Sequence, residues 1–252
     1  MEIALQVENV SFRLDRRVIF QDLSFRLSRG EALFVVGGSG SGKSLLLRIC
    51  AGLIYPDQGS VTLGGVDLKT APKGEIQDLR ARIGFVFQDS ALISNMAIYD
   101  NIALPLRYHH KWTEEQTRAR VDEKMSLFGV DRSFDGSIPA MLSLEMRKRA
   151  ALARAFVLEP EFLLLDQPTG GLETEIAESL SRIIRDYQRK TGASLLAVGS
   201  EYSRGDDYAD RVGMLEGGRI AAEGTVEEMR PRMEKSVNGP IGDRALPNSK
   251  PT

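Results

Sequence analysis

Apolar and polar residues alternate along the first 30 positions of the chain. Ile3, Leu5 and Val7 occupy alternate positions, as do Phe25 and Leu27, and polar turns interrupt the pattern. A period of two is typical of strands that bury one face. The pattern therefore predicts antiparallel strands that form a sheet at the start of the domain.

Three later stretches each contain at least four consecutive apolar residues and predict the buried strands of a parallel sheet. They are residues 31–36, 162–166 and 194–198. A helix from Leu45 to Gly52 is expected to follow the first stretch, and one from about Thr174 to Arg189 separates the other two as a βαβ unit. A hairpin from Arg211 to Ala221, turned by Gly217-Gly218, ends the sheet.

The pattern becomes polar, with helical spacing, between about residues 89 and 152, which predicts an inserted helical lobe. Thr113-Glu114-Glu115-Gln116 fits a capping box for a helix that ends near Gly129. We expect one domain over residues 3–229. The tail, residues 230–252, has four prolines among polar residues and is expected to be extended or disordered, or alternatively to reach a partner subunit.

Composition narrows the class of protein. The 252 residues include 33 Lys and Arg against 35 Asp and Glu, and the net charge of −2 argues against nucleic-acid binding. The single cysteine, Cys50, is expected to be a buried thiol in a reducing compartment. No apolar run reaches the ~18 to 20 residues of a membrane span, and Met1-Glu2-Ile3 does not resemble a signal peptide, so the cytosol is expected.

The strongest chemical motif follows the first buried strand. Gly37-x-x-x-x-Gly42-Lys43-Ser44 matches the P-loop, in which glycines let backbone N–H groups face phosphates, the lysine neutralises them and the hydroxyl reaches Mg²⁺. The strand, the loop and the helix come in the order that a phosphate site requires. The candidate nucleotide-binding residues are Gly37, Gly38, Ser39, Gly40, Ser41, Gly42, Lys43, Ser44 and Leu45.

A second motif is the apolar stretch that ends in Asp166. A buried strand of this kind delivers one carboxylate toward a nucleotide-bound metal. Because many core strands end in aspartate, the stretch alone leaves a purely structural interpretation open.

Combined with Gln88 and with residues 168–172, these motifs resemble the ATP-binding cassette (ABC) ATPases over roughly residues 3–229. The resemblance implies an α/β P-loop fold with an antiparallel β subdomain, a parallel-sheet core and an inserted α-helical subdomain. It implies ATP and Mg²⁺ as cofactors, with Ser44, Gln88 and Asp166 around the metal. It also implies that two nucleotide-binding subunits, alike or different, enclose two ATP molecules.

Residues 10–20, 87–107 and 146–155 are most similar to the lipid-transport ATPases associated with Mla and MCE systems. This similarity implies a cytoplasmic subunit on the inner face of the cell membrane that drives phospholipid transport through an integral membrane permease. A non-hydrolysing, ATP-sensing or structural subunit is the alternative. In this family adenine stacks on an early aromatic residue, but the matching position is Leu14, with Phe12 as a possible substitute.

Four positions depart from the family pattern where hydrolysis takes place. Gln167 replaces the glutamate after the strand aspartate, and an amide cannot accept a proton from the attacking water. Ser200 stands at the position of the switch histidine and is expected to lose its contact with the γ-phosphate. In the signature, Leu144 and Glu145 replace two glycines, adding bulk and a negative charge that opposes closure. The signature residues are Ser143, Leu144, Glu145 and Met146.

Glu173 replaces the aspartate that is usual after Gly-Leu in the D-loop of this family, which is a milder change. Other residues have plainer interpretations. His109 and His110 lack further ligands at metal spacing, so a solvated turn is favoured. Arg147 to Arg149 fan around a helix and are expected to be solvated or paired with acids.

Residues 88–94, with Tyr99 and Leu106, are expected to form a groove for a permease helix, or alternatively to fill the core of the lobe.

Overall fold

The computed structural model describes residues 2–109, 112–200 and 208–238. Its strands are β1 Ile3–Leu14, β2 Arg17–Ser28, β3 Ala32–Val36, β4 Gln58–Leu63, β5 Val66–Asp67, β6 Ile83–Val86, β7 Phe162–Asp166, β8 Ser194–Gly199, β9 Arg211–Glu216 and β10 Arg219–Thr225. Its helices are α1 Lys43–Cys50, α2 Lys73–Ala81, α3 Ile98–His109, α4 Glu114–Leu127, α5 Leu144–Phe156, α6 Thr174–Thr191 and α7 Val226–Asn238.

The strands form an antiparallel sheet and a mostly parallel one. The first has the order β2-β1-β4-β5, and its β1–β2 hairpin is the alternating region at the start of the chain. The second has the order β10-β9-β3-β8-β7-β6, in which only β10 runs antiparallel to its neighbour. The expected α/β fold with two sheet subdomains and a helical insertion is confirmed.

Two hydrophobic cores lie on opposite faces of the parallel sheet. In β3, Phe34 and Val36 belong to the core shared with the helical lobe, whereas Leu33 and Val35 belong to the core shared with the antiparallel sheet and α1. Both faces of the strand are buried, which explains why its sequence is apolar throughout and does not alternate.

Register brings the carboxyl ends of the parallel strands to one edge. Val36 pairs with Gly199 across β3 and β8, and Val198 pairs with Asp166 across β8 and β7. The loop after β3 therefore begins beside the ends of β8 and β7, where open α/β sheets bind their ligands.

Helices α3, α4 and α5 form the inserted lobe. The predicted capping box starts α4: Thr113 Oγ1 accepts a hydrogen bond from Gln116 N, and Gln116 Oε1 accepts one from Thr113 N. Phe128 and Phe156 pack edge to face at the base of the lobe, with ring centroids 5.0 Å apart. Leu106 is 1% exposed, so at that position the expected groove is wrong and the residue fills the core.

The expectation of an extended or disordered tail from residue 230 is wrong as far as Asn238, because α7 continues through Pro231. Met229 and Met233, one turn apart, are both buried against the core. Their burial offsets the backbone hydrogen bond that a proline cannot donate. The rest of the tail, residues 239–252, lies outside the described residues.

Candidate functional site

The loop between β3 and α1 is held close to two neighbouring strands. Gly37 N donates to Gly199 O at 3.3 Å, which attaches the start of the loop to β8. Gly42 has φ 98°, and a Cβ there would lie 2.7 Å from Ile19 Cγ2 on β2. Only glycine fits this left-handed and crowded position, so the sequence motif is also a packing requirement.

Lys43 is 6% exposed and turns back over this loop. Its Nζ donates to Gly37 O at 2.6 Å and to Gly38 O at 2.8 Å. Burial lowers the pKa of Lys43, and the charge of Asp166 partly opposes that shift. A cation whose hydrogen bonds go to neutral carbonyls retains its charge for an anion such as a phosphate.

Asp166 lies at the end of β7 and is 3% exposed. Burial raises its pKa, while a hydrogen bond with Ser44 and the charges of Lys43, Arg48 and Lys148 act in the opposite direction. Asp166 Oδ1 is buried and has no hydrogen-bond partner among the described residues.

The residues at this edge fit a nucleotide with its metal. Like Asp166 Oδ1, Ser41 Oγ is buried without a partner in the described part of the chain. Buried polar atoms without partners are rare and call for a ligand, a water or an ion. A carboxylate beside the Ser44 hydroxyl supplies the oxygen donors that Mg²⁺ prefers, and Ser41 lies in a loop suited to phosphates.

Gln88 is exposed just beyond the end of β6, which pairs with β7, so it lies at the same edge of the sheet. Arg154, which sequence reasoning missed, fixes this loop. Its guanidinium donates to Ser90 O and Ala91 O, both at 2.8 Å, from the far part of α5. The helical lobe therefore holds the loop that carries Gln88.

Gln167 and Ser200 follow β7 and β8, two adjacent strands. Gln167 has a left-handed backbone with φ 47°, and its N donates to Val198 O at 2.9 Å. Ser200 is exposed directly after β8. The structure thus brings both departing positions to the edge that holds Lys43 and Asp166.

The signature residues begin α5. Ser143 is the N-cap, and its Oγ accepts a hydrogen bond from Met146 N at 3.2 Å. Leu144 is 42% exposed, and Glu145 is turned back along the helix to Arg149, with 2.7 Å between Oε1 and Nε. An ion pair within the chain therefore balances the charge expected to oppose closure.

The three consecutive basic residues near the start of α5, residues 147–149, are not a solvated face. Lys148 is 3% exposed, and its Nζ donates to Gln167 O at 2.7 Å. Arg147 donates to Leu142 O at 2.7 Å. Arg149 follows the expectation of pairing with an acid, and the charge of Lys148 faces Asp166. A solvated position was wrong for Lys148, whose burial depends on contacts with the loop after β7.

Three plainer expectations can be compared with the structure. Cys50 is a buried thiol, as predicted, and burial raises its pKa. Leu14 is 57% exposed, whereas Phe12 packs partly against the core. The expectation of a solvated turn is wrong for His109, which is the last residue of α3 and whose ring lies edge to face on Tyr108. No cluster of three metal-ligating side chains occurs within the described ranges. His110 lies outside them.

Comparison with known proteins decides the family. The profile described as "ABC transporter" matches residues 20–170, more than half of the chain. The chain belongs to the ABC transporter family. None of the helices in the described ranges is long and apolar enough to cross a membrane.

Relatives in the ABC family serve different transport systems. The probable ribonucleotide transport ATP-binding protein mkl of Mycobacterium leprae is 35% identical over 215 residues, covering 85% of this chain and 62% of that protein. The sulfate/thiosulfate import ATP-binding protein CysA of Xylella fastidiosa strain 9a5c is 41% identical over 202 residues, covering 79% and 56%. The chain thus spans about three fifths of the curated relatives that it matches.

Solved ABC structures share the fold. A dimeric, post-hydrolysis state of the cassette MJ0796 bound to ADP and Pi gives a TM-score of 0.82 at 25% identity, covering 88% of this chain and 98% of that one. CbiO1 of Clostridium perfringens, part of the transporter complex cbiONQ, gives 0.78 at 27% identity, covering 94% and 93%.

Proposed function

We propose that this chain is the ATP-binding subunit of an ABC transporter and binds MgATP at the carboxyl edge of its parallel sheet. The observation that carries the proposal is the meeting of Lys43, Ser44 and Asp166 at this edge, beside two buried oxygens without partners. A ligand that brings phosphates and a divalent cation satisfies all of these groups together.

Each residue has a definite part in binding. The loop amides and Lys43 would hold the phosphates, and Ser44, Asp166 and Gln88 would hold Mg²⁺. Bound Mg²⁺ would neutralise phosphate charge. Leu14 offers an exposed apolar surface, in place of an aromatic ring, for the base.

Hydrolysis at this site is expected to be slow. The Gln167 amide can hold a water by hydrogen bonds but cannot remove its proton. Ser200 is exposed and lacks a ring nitrogen for the γ-phosphate, and Leu144 fills the place of a glycine in the signature. These substitutions support the second candidate function, a subunit that senses ATP or stabilises a membrane complex without rapid turnover.

The membrane partner is proposed to be an integral permease, on the inner face of the cell membrane, with a second nucleotide-binding subunit completing the pair. Ile93 is 37% exposed and Leu92 is partly buried, on the loop that Arg154 holds. Exposed apolar residues on such a loop favour contact with a helix of another protein.

The proposed substrate class is phospholipid, because residues 10–20, 87–107 and 146–155 resemble lipid-transport ATPases. The relatives named for ribonucleotide and for sulfate or thiosulfate transport provide the competing substrates.

The test is purification of the tagged chain from its native membrane, followed by reconstitution of the complex in vesicles. We expect a permease to accompany the chain and a fluorescent phospholipid to move between membranes only with MgATP. Ile93→Glu should release the chain from the permease, whereas Ile138→Glu, an exposed apolar position elsewhere on the lobe, should not. ATP-dependent movement of sulfate or ribonucleotide instead of lipid would contradict the substrate class.

A further inference from the structure

The ammonium group of Lys148 lies almost entirely inside the protein. Lys148 is 3% exposed, on the second turn of α5, and its Nζ donates to Gln167 O at 2.7 Å. Burying a charged group is unfavourable unless hydrogen bonds and an opposite charge compensate. The nearby carboxylate of Asp166 supplies that charge, so Lys148 belongs to the site and not to the surface of the lobe.

The residue that accepts this hydrogen bond has a disfavoured backbone. Gln167 is not a glycine but has φ 47°, a conformation that side chains disfavour unless their surroundings impose it. Three hydrogen bonds impose it here. Gln167 N donates to Val198 O at 2.9 Å, and Gln167 O accepts from Gly170 N at 3.1 Å and from Lys148 Nζ at 2.7 Å.

Helix α5 touches the other end of the same turn. A Cβ at Gly171 would lie 3.2 Å from Leu144 Cδ2, so the first residue of the helix lies against this glycine. Lys148 is one turn further along α5. The turn over residues 167–171, called here the β7 turn, is thus fixed to α5 at both ends, once by a hydrogen bond and once by van der Waals contact.

We propose that Lys148 is a positioning residue that couples the start of α5 to the direction of the Gln167 side chain. This inference rests on the proposed nucleotide site, because Gln167 acts only on a nucleotide held there. A shift of α5 pulls on Gln167 O through Nζ, and the strained backbone of Gln167 turns the side chain with it. Contact of a partner with the exposed start of α5, where Leu144 lies, therefore reaches the water-holding amide.

Hydrogen exchange of the full chain without nucleotide tests the coupling. Lys148→Met keeps the length of the side chain and removes the donor. We expect the Gly170 amide to exchange roughly tenfold faster, the effect of losing one hydrogen bond, with the midpoint of urea unfolding unchanged. Lys148→Gln keeps a donor and should restore part of the protection. Arg147→Met is the matched control, because Arg147 donates to Leu142 O and not to the β7 turn.

The rate of ATP hydrolysis distinguishes a positioning role of Lys148 from a purely structural one. In a background with Gln167→Glu and Ser200→His, which keeps the contact between Leu144 and Gly171, we expect Lys148→Met to lower kcat for phosphate release about tenfold with KM for ATP unchanged. Unaltered exchange at Gly170, or equal effects of Arg147→Met, would overturn the coupling. If Lys148→Met does not fold, the same comparison between Lys148→Gln and the parent decides. Because exchange is measured without ATP, it is independent of whether the chain binds nucleotide.

Discussion

The two edges of the parallel sheet differ in how their charged groups are satisfied. At the carboxyl edge, Asp166 Oδ1 and Ser41 Oγ are buried without partners in the described part of the chain. At the amino edge, a cleft of about 1000 Å³ lies beside the first residues of β7 and β8. Three of the cations that line it, Arg29, Arg82 and Lys124, are each paired with a carboxylate.

Two buried lysines make the contrast concrete. Lys124 Nζ at the amino edge lies 2.7 Å from Glu123 Oε1 and 3.4 Å from Glu159 Oε1, so its charge is balanced within the protein. Lys43 Nζ at the carboxyl edge is bonded to neutral carbonyls. The two edges therefore differ in whether buried charges are matched within the protein, and buried groups that remain unmatched point to a ligand site.

The largest expected effect is on hydrolysis. Restoring the catalytic groups at the carboxyl edge should make that edge active while the amino edge is unchanged. Loss of a general base typically lowers a rate by about 10² to 10⁴. Gln167→Glu alone should recover little, because Ser200 and Leu144 still limit the transition state. Adding Ser200→His, Leu144→Gly and Glu145→Gly should recover much more, non-additively. Steady-state phosphate release from the purified complex measures this.

Two outcomes would contradict this account of hydrolysis. Rapid turnover by the parent would show that the amide at Gln167 is sufficient. Full recovery by Gln167→Glu alone would show that Ser200 and the signature do not limit the rate.

Arg149 should tolerate the loss of Glu145, because its Nη1 also donates to Phe128 O at 2.8 Å.

The next largest effect is on nucleotide affinity. Lys43→Ala removes charged hydrogen bonds worth about 1.5 to 3 kcal/mol, so MgATP should bind roughly 10- to 150-fold more weakly. Titration calorimetry of the purified chain checks this. Arg82→Ala, at the amino edge, is the control and should bind as the parent does. Unchanged affinity in Lys43→Ala would make the phosphate-site assignment wrong.

A smaller effect concerns the pH dependence of stability. Burial raises the pKa of Asp166 above the ordinary value of 3.8, so the folded chain holds this proton more tightly than the unfolded chain. Its contribution to stability is therefore present below that value and is lost as pH rises through the folded pKa. Asp166→Asn removes this loss. The free energy of unfolding of the variant should therefore increase relative to that of the parent as pH rises from about 4.

Urea unfolding at several pH values, with divalent metal chelated, measures this difference. Ser194→Ala, at the opposite end of β8, is the control. It changes no carboxylate of the site, so its stability should follow the same pH profile as that of the parent. Saturating MgATP should make the parent more stable than Asp166→Asn, because only the parent has the carboxylate that holds the metal. Parallel pH profiles for parent and Asp166→Asn would contradict the origin assigned to the shift.

The smallest effect is expected at the amino edge. Arg82 and Glu161 form an ion pair at 2.8 Å, but their side chains are 39% and 50% exposed. Solvent screens such a pair, so Arg82→Ala should change the free energy of unfolding by only about 0 to 1 kcal/mol. Urea unfolding checks it. A larger loss, or any change in MgATP affinity, would break the contrast between the two edges.

Local signals in the sequence predicted much of the fold. Strand β7 and the loop from Gly37 to Ser44 carry their own patterns, so each was located without knowledge of its partners. Strands β4 and β5 and helix α2 were not anticipated. Strand β4 has few apolar residues and is defined by pairing with β1, about 50 residues earlier. Short strands depend on such tertiary contacts more than on propensity.

Helix α7 was missed although a signal was present. Thr225 and Glu228 form a capping box, in which Thr225 N donates to Glu228 Oε2 at 2.9 Å and Thr225 Oγ1 accepts from Glu228 N at 3.3 Å. Pro231 outweighed that signal in the sequence. For the site, motifs located Lys43 and Asp166, but Lys148 resembled a surface cation, because its burial depends on the β7 turn.

The central position of β3 has a consequence for how the chain is made. In the described sheet β3 pairs with β8 and β9, and β7 reaches β3 only through β8. A nascent chain that ends with α6 already contains Lys43, Ser44 and Asp166 but lacks the strand between them. Strands that are far apart in sequence, such as β3 and β8, pair late in folding. An ATP-affinity resin should therefore retain completed domains and let chains that stop before β8 pass through.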